Sequence, residues 1–323
     1  MLKKIGLDWF ILALVAMIFF AWLYPDFGAL KGPASLSSVA GYGVTVIFFF
    51  YGLRLDLQQL LADLGNWRLH LLVQLTTFIG FPLVVLASYP FFKGTVHEPL
   101  WLGAFYCAAL PSTVSSSVVM VSIARGNIPA AIFNASISGL IGVFVTPLWM
   151  GIFLLQQPGS IGLAPVFLKL FLQVLLPVAL GLLLNRRLSA FAQRTKNQLR
   201  YFDQATILLI IYTSFCDSFS QGVFQHLAWS TLWWLFTAML GLFALSYLII
   251  GTAAKLMRFN QADLITALFC GSKKSLVHGT VMSKILFSPA MAIGILLLPI
   301  MVYHALQLIL ASLIAKRFEK QTV

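Results

Sequence analysis

The sequence predicts an all-α integral membrane protein of ten transmembrane helices, and three observations carry that prediction. Of its 323 residues 60% are hydrophobic and only 9% charged, with a mean hydropathy of +0.94, whereas a soluble domain carries about 25% charged residues. Apolar runs of the roughly 20 residues needed to cross a bilayer recur along the whole chain. The basic residues gather in alternate loops, as expected when those loops face the cytoplasm.

The ten spans follow in order from the apolar runs and the residues that stop them. Span 1 is expected from Asp8 to Tyr24, ended by Pro25, span 2 from Val39 to Leu55, and span 3 from Trp67 to Tyr89. Span 4 runs from Leu100 to Ala124, and span 5 from Ile128 to Leu155, with a turn at Gln156-Gln157-Pro158-Gly159. Span 6 is expected from Leu163 to Leu184, span 7 from Asp203 to Gln221, and span 8 from Trp229 to Leu256. Span 9 covers Gln261 to Phe287 and span 10 Ala290 to Ala315. The longest polar stretch, Asn185 to Arg200, lies near the middle and reads as a joint between halves. With an odd number of spans in each half, residues 1–160 form a first five-helix repeat and residues 161–323 a second, inverted one.

Charge orients this arrangement. With a cytoplasmic N-terminus, fifteen of the 21 Lys and Arg residues fall on the inner side, among them Lys3, Lys4, Arg186, Arg187, Lys316 and Arg317. Only Lys31, Lys93 and Lys284 fall in outer loops, so both termini are expected inside, in a bacterial inner membrane. Lys169 lies near the outer end of span 6, where it can snorkel. The net charge of +12 does not indicate nucleic acid, because the basic residues form no continuous face. Cys107, Cys216 and Cys270 sit in apolar stretches at no metal-ligand spacing and read as packing residues. No cofactor motif is present. Lys3 and Lys4 precede an apolar run, but no small-residue cleavage site follows, so span 1 is expected to stay.

Two spans are interrupted at matching places. Span 4 contains Pro111-Ser112-Thr113-Val114-Ser115-Ser116-Ser117, and span 9 contains Gly271-Ser272-Lys273-Lys274-Ser275. Neither flank of either break can cross a membrane alone, so both breaks belong at membrane depth. Each is the fourth span of its half, and Pro111 and Lys273 are 162 residues apart. Paired interruptions of this kind point to the binding site of a transporter. Proline removes a helical donor and glycine loosens the backbone. The groups so freed are tolerable in lipid only where they line a cavity or meet a polar partner. Half-helix N-termini there would favour an anion. These eleven polar, proline and glycine positions, all but Val114, are the expected substrate contacts.

A lysine at mid-membrane costs about 2.5–3.5 kcal/mol, so two in succession need a reason. Neighbouring positions on a helix point about 100° apart, and both lysines can share a cavity only if the backbone is unwound. One is expected to be tied structurally and the other to face the cavity. Asp217 is the one acidic residue expected within a span beyond its first turn, on a face shared with Thr213 and Gln221. It reads as an ion or proton site, or as the counter-ion of a lysine. Gln74 and Asn134 are buried amides that could serve as ligands or as glue between helices. His278 and His304 read as satisfied interior polar groups.

Several of these segments resemble a known family. Tyr51-Gly52-Leu53-Arg54-Leu55-Asp56, Ala124-Arg125-Gly126-Asn127 and Cys270-Gly271-Ser272-Lys273-Lys274-Ser275 are similar to motifs of the bile acid:sodium symporter superfamily (solute carrier family 10). The branch most like this chain is the bacterial and vertebrate one that includes the seventh member. The resemblance spans nearly the whole chain. It implies two inverted five-helix repeats, panel and core domains drawn from both halves, and crossing broken helices with substrate between the domains. It also implies sodium ligands after the span 4 break, in span 5, at a span 3 glutamine and in span 9, which brings in Ser116, Ser117, Asn134 and Gln74. The ninth span departs from that pattern, having no acidic residue in its motif and two lysines instead. An ammonium there competes with sodium, so sodium-independent or proton-coupled transport is expected.

The leading reading is therefore alternating-access transport of a small organic anion. A cation/proton exchanger, in which lysine and Asp217 trade a salt bridge for an ion, is the alternative within transport. An intramembrane enzyme would need paired carboxylates, a metal cluster or a nucleophile with its base within the spans, and the sequence offers no such set. A regulator or channel fits less well, since channels build pores on rotational symmetry.

Overall fold

A computed structural model describes residues 9–30, 32, 35–55, 64–154, 165, 168–169, 171–226, 228–288 and 291–321. The expected span ends at Asp8, Leu155, Leu163 and Ala290, the turn at Gln156–Gly159, and Lys3, Lys4, Lys31 and Asp56 lie outside the described residues. Every regular element among the described residues is helical. The first are α1 (Trp9–Leu23), α2 (Pro25–Ala29) and α3 (Leu36–Leu53). Next come α4 (Trp67–Leu75), a π-helical turn (Thr76–Gly80) and α5 (Phe81–Leu86). Then follow α6 (Glu98–Ala109), α7 (Ser115–Ile123) and α8 (Ile128–Leu154). After a second π turn (Phe171–Leu175) come α9 (Leu176–Arg194), α10 (Lys196–Ser220) and α11 (Trp229–Leu256). The last three are α12 (Gln261–Gly271), α13 (Leu276–Leu286) and α14 (Ile293–Gln321).

Five segments are long and apolar enough to cross a membrane: Leu36–Leu53, Trp67–Phe91, Ile128–Leu154, Trp229–Leu256 and Ile293–Lys320. They coincide with expected spans 2, 3, 5, 8 and 10. Large apolar side chains on their outer faces, such as Leu148, Trp233 and Leu248, are exposed, which suits hydrocarbon as the surrounding solvent. The chain is an integral membrane protein. Expected spans 4 and 9 are each two short helices, α6 with α7 and α12 with α13; the non-helical backbone covers residues 110–114 and 272–275, so Ser115, Ser116 and Ser117 already belong to α7 and Gly271 to α12. Pro25 does end the first helix, and starts α2 as its first residue.

Elsewhere the boundaries differ from the hydropathy reading for local reasons. Helix α3 begins three residues before Val39, because Ser35 caps it by accepting the Ser38 N–H at 3.2 Å. The polar stretch Asn185–Arg200 is helical on both sides of Thr195. Its side chains serve the neighbouring helix end: Asn185 donates to the carbonyls of Leu53 at 2.7 Å and Leu55 at 2.9 Å. Arg54 pairs with Asp203 of α10 at 2.9 Å. Polar residues at a membrane surface can extend a helix whose apolar part alone sets the hydropathy signal.

Two packing groups emerge. Helices α1, α2, α3, α9 and α10 pack on one another, as do α4–α8 with α11–α14, and α10 joins the two through α13 and α14. The tightest seam is α3 against α9. A Cβ at Gly52 would overlap the Val178 carbonyl, and one at Gly181 the Phe49 carbonyl, so backbone meets backbone across the seam. Gly181→Leu is therefore expected to cost about 1–3 kcal/mol. A clear fall in melting temperature of the detergent-solubilised protein is the check, with the adjacent exposed Leu180→Ala as a neutral control.

Candidate functional site

The crossing of the two broken helices can be built up by asking where each freed backbone group finds a partner. Pro111 ends α6, leaving its last carbonyls without helical donors. Ala108 O and Leu110 O accept from the Lys274 ammonium at 2.6 and 2.9 Å. Ala109 O accepts from the Thr146 hydroxyl at 2.7 Å, and Pro111 O from the Ser275 N–H at 2.9 Å. A Cβ at Gly142 would sit 2.7 Å from the Pro111 ring, so that glycine lets α8 close on the break.

The second break is satisfied in the same manner. Cys270 O accepts from the Ser112 hydroxyl at 2.6 Å, and Ser272 O from the Tyr303 hydroxyl at 2.6 Å. The Gln307 amide serves both sides of one residue: it accepts the Lys274 N–H and donates to the Lys274 carbonyl, each at 2.8 Å. Ser112 N–H reaches the Ser138 hydroxyl at 2.9 Å. Ser112 with Cys270, and Pro111 with Ser275, thus bond the breaks directly to one another.

A third element contributes through a proline of its own. Pro82 has no N–H for Phe78 O, and the Phe81 N–H bonds to Thr76 O in the π turn. Thr77 O and Phe78 O are thereby released. Lys274 takes the first at 2.7 Å, and the Trp149 indole takes the second at 2.7 Å.

The two lysines differ in kind. Both are 0% exposed. The Lys274 ammonium meets three carbonyls, one for each N–H it owns, and lies 4.2 Å from the Phe81 ring centroid. Lys273 makes one hydrogen bond, to Ser116 O at 2.7 Å in the first turn of α7, with the Phe269 ring centroid 5.8 Å away. Two of its three donors have no protein acceptor among the described residues.

The other expected contacts fall around these two. Thr113 hydroxyl bonds to Ser116 at 2.7 Å and Ser117 at 3.0 Å. Ser115 is the first residue of α7; its side chain lies outside the described set. Gly271 closes α12, and Ser272 bonds back to Leu268 O at 2.6 Å. Ser275 caps α13, accepting from His278 N–H at 3.3 Å. Gln74 and Asn134 meet each other, the glutamine donating to the asparagine carbonyl groups at 3.2 Å, while Asn134 also touches His70 at 2.9 Å.

Asp217 stands apart from this cluster. It lies in the last turn of α10 and acts electrostatically on Lys284, whose ammonium bonds to Ser37 at 3.2 Å and Thr213 at 3.1 Å. The polar face of Thr213 and Asp217 expected to serve a lysine does so, but the lysine is Lys284. That residue sits in the last turn of α13, not in a loop. Thr77, Ser138, Thr146, Tyr303 and Gln307 also escaped the sequence reading. Pro82 was the available signal for the first, since it demands a donor-free position in span 3. No group of three or more His, Cys, Asp or Glu among the described residues could hold a metal ion.

Ala124-Arg125-Gly126-Asn127 has a structural part. Arg125 adopts φ 59°, and Gly126 N–H closes on Val121 O at 2.8 Å, a Schellman end to α7. Asn127 then docks on the start of α12 through Asp263 and Thr266, both at 2.9 Å.

Two broken helices bonded to each other at their breaks, inside a bundle of membrane-crossing helices, are a pattern that membrane transporters share. The chain belongs to the SBF-like CPA transporter family, whose model matches residues 8–320, and so to the bile acid:sodium symporter superfamily. It is 34% identical to the putative symporter YfeH of Escherichia coli over 98% of this chain and 94% of that protein. It is 39% identical to an uncharacterized protein of Pseudomonas aeruginosa (97% and 93% covered), and 31% identical to sodium/bile acid cotransporter 7 of Danio rerio (97% and 94%).

Gln307→Leu is expected to leave two buried backbone groups of Lys274 unpaired, at about 1–3 kcal/mol each. Thermal unfolding in detergent should register the loss, while His304→Gln, which keeps a hydrogen-bonding partner for Gln307, should cost far less.

Proposed function

We propose that this protein is a secondary transporter of a small organic anion, working by alternating access without sodium. The observation that carries the reading is Lys273: a buried cation at the crossing with, among the described residues, one acceptor for three donors. An anion entering beside it would receive a charge-assisted hydrogen bond, next to the first turn of α7, whose dipole also favours negative charge. The serine and threonine hydroxyls of residues 112–117 and 272–275 would supply the neutral contacts.

Ten spans in two inverted repeats, with panel and core domains, complete the proposal. The group of α1, α2, α3, α9 and α10 fits a panel, and the remaining helices, including both broken pairs, fit a core. Both termini would then be cytoplasmic in a bacterial inner membrane. Reporter fusions near Thr195 and after Val323 are expected to report the inner side; opposite sides would contradict the ten-span count.

The coupling reading rests on the donor set. Asn134 spends its carbonyl oxygen on Gln74 and its amide on Ala130 O and His70, so that Gln74 Oε1 is the pair's one oxygen without a partner among the described residues, and two lysines occupy the ninth-span break. An exchanger in which Lys273 or Lys274 trades Asp217 for a cation has less support, since Asp217 acts on Lys284 and not on either of them.

Uptake of a panel of organic anions into proteoliposomes, with and without sodium and pH gradients, is the test. Transport of at least one anion that persists when choline replaces sodium is expected; steep sodium dependence would overturn the coupling reading. Lys273→Met should reduce that uptake at least ~30-fold, the kinetic equivalent of about 2 kcal/mol from one lost buried charge contact. Its melting temperature should stay unchanged or rise, since the variant removes an under-bonded buried charge.

A further inference from the structure

Lys274 holds a different position in the chemistry of the crossing. Its three acceptors come from two separate elements of the core, the π turn of span 3 and the end of α6, while its own backbone belongs to the break between α12 and α13. The three N···O distances of 2.6–2.9 Å are those of charge-assisted bonds. A neutral amine has two N–H groups, and three carbonyls at these distances call for the ammonium. Each carbonyl lacks a helical donor, because the backbone leaves the α-helical pattern at the π turn before Pro82 or at the break that Pro111 opens. Carbonyl oxygens converging on a dehydrated positive centre are how proteins hold bare monovalent cations. Here the cation is attached by a side chain.

The geometry points to Lys274 as a tethered cation occupying a carbonyl site for a small monovalent cation, formed by Thr77, Ala108 and Leu110. The ammonium does for this core what a bound ion would do: it joins three broken backbones at a point where water cannot. Because the ligand is covalent, its local concentration never falls and the crossing stays assembled at any external ion concentration. Cutting the side chain back should therefore open a site that accepts a free cation of matching shape. An ordinary packing lysine would leave no such site.

The experiment uses the full-length protein in detergent and follows thermal unfolding, a readout independent of the transported substrate. Lys274→Ala removes the atoms of propylammonium. Its melting temperature should fall on the order of 10 °C, as three buried carbonyls lose their donors. Propylammonium chloride should restore much of the loss in the variant and leave the wild type unmoved, while 1-propanol, similar in size but uncharged, should not. Equal recovery with propanol, or none with propylammonium in a folded variant, would overturn the assignment. Should Lys274→Ala accumulate neither with nor without propylammonium, Lys274→Met decides. This neutral variant of similar length should melt well below wild type, and a wild-type melting temperature would overturn the assignment.

Discussion

A carbonyl released from a helix inside a bilayer has no water to turn to. Each such group left unpaired costs several kcal/mol, and this protein releases many of them within a few residues of Pro82, Pro111 and Gly271. The core around the crossing is arranged to meet that demand. Thr146, Ser112, Tyr303, Gln307, Trp149 and Lys274 each reach a backbone group that no helix serves. Remove the demand, by restoring continuous helices, and these six side chains lose the backbone groups they serve.

The same demand separates the two adjacent lysines. Unwinding at residues 272–275 frees them from helical spacing, and they take different directions. Lys274 turns to α6 and the π turn, where three carbonyls use all its donors; Lys273 turns to α7, where one does. A saturated ammonium is structure. An equally buried one with a single acceptor among the described residues keeps hydrogen-bonding capacity in hand, and it is on this that the proposed anion site rests.

How much of this could be read in the chain depends on whether the information is local. Apolar runs, Pro25, Pro111 and the Gly271 break are local, and the corresponding helix ends fall where they were expected. The extension of α10 back to Lys196 was hidden because hydropathy reports lipid-facing length and not helix length. Partner choice is non-local. Pro82 announces that a carbonyl is freed in span 3, but the groups that take the two released carbonyls come from Trp149 and from Lys274, 197 residues beyond Thr77. Asp217 shows the opposite error: its face with Thr213 was legible, but the lysine it serves had been placed in a loop, since an outer-end charge gives the same pattern in either setting.

The central claim is that an attached ammonium, and no ion, fills the carbonyl site at the crossing. Density for the purified protein at a resolution that shows side-chain nitrogens, recorded in sodium-containing buffer, tests it most directly. The account predicts continuous density from the Lys274 chain into the oxygens of Thr77, Ala108 and Leu110. A separate spherical peak among those three carbonyls, with the Lys274 chain turned away, would contradict it.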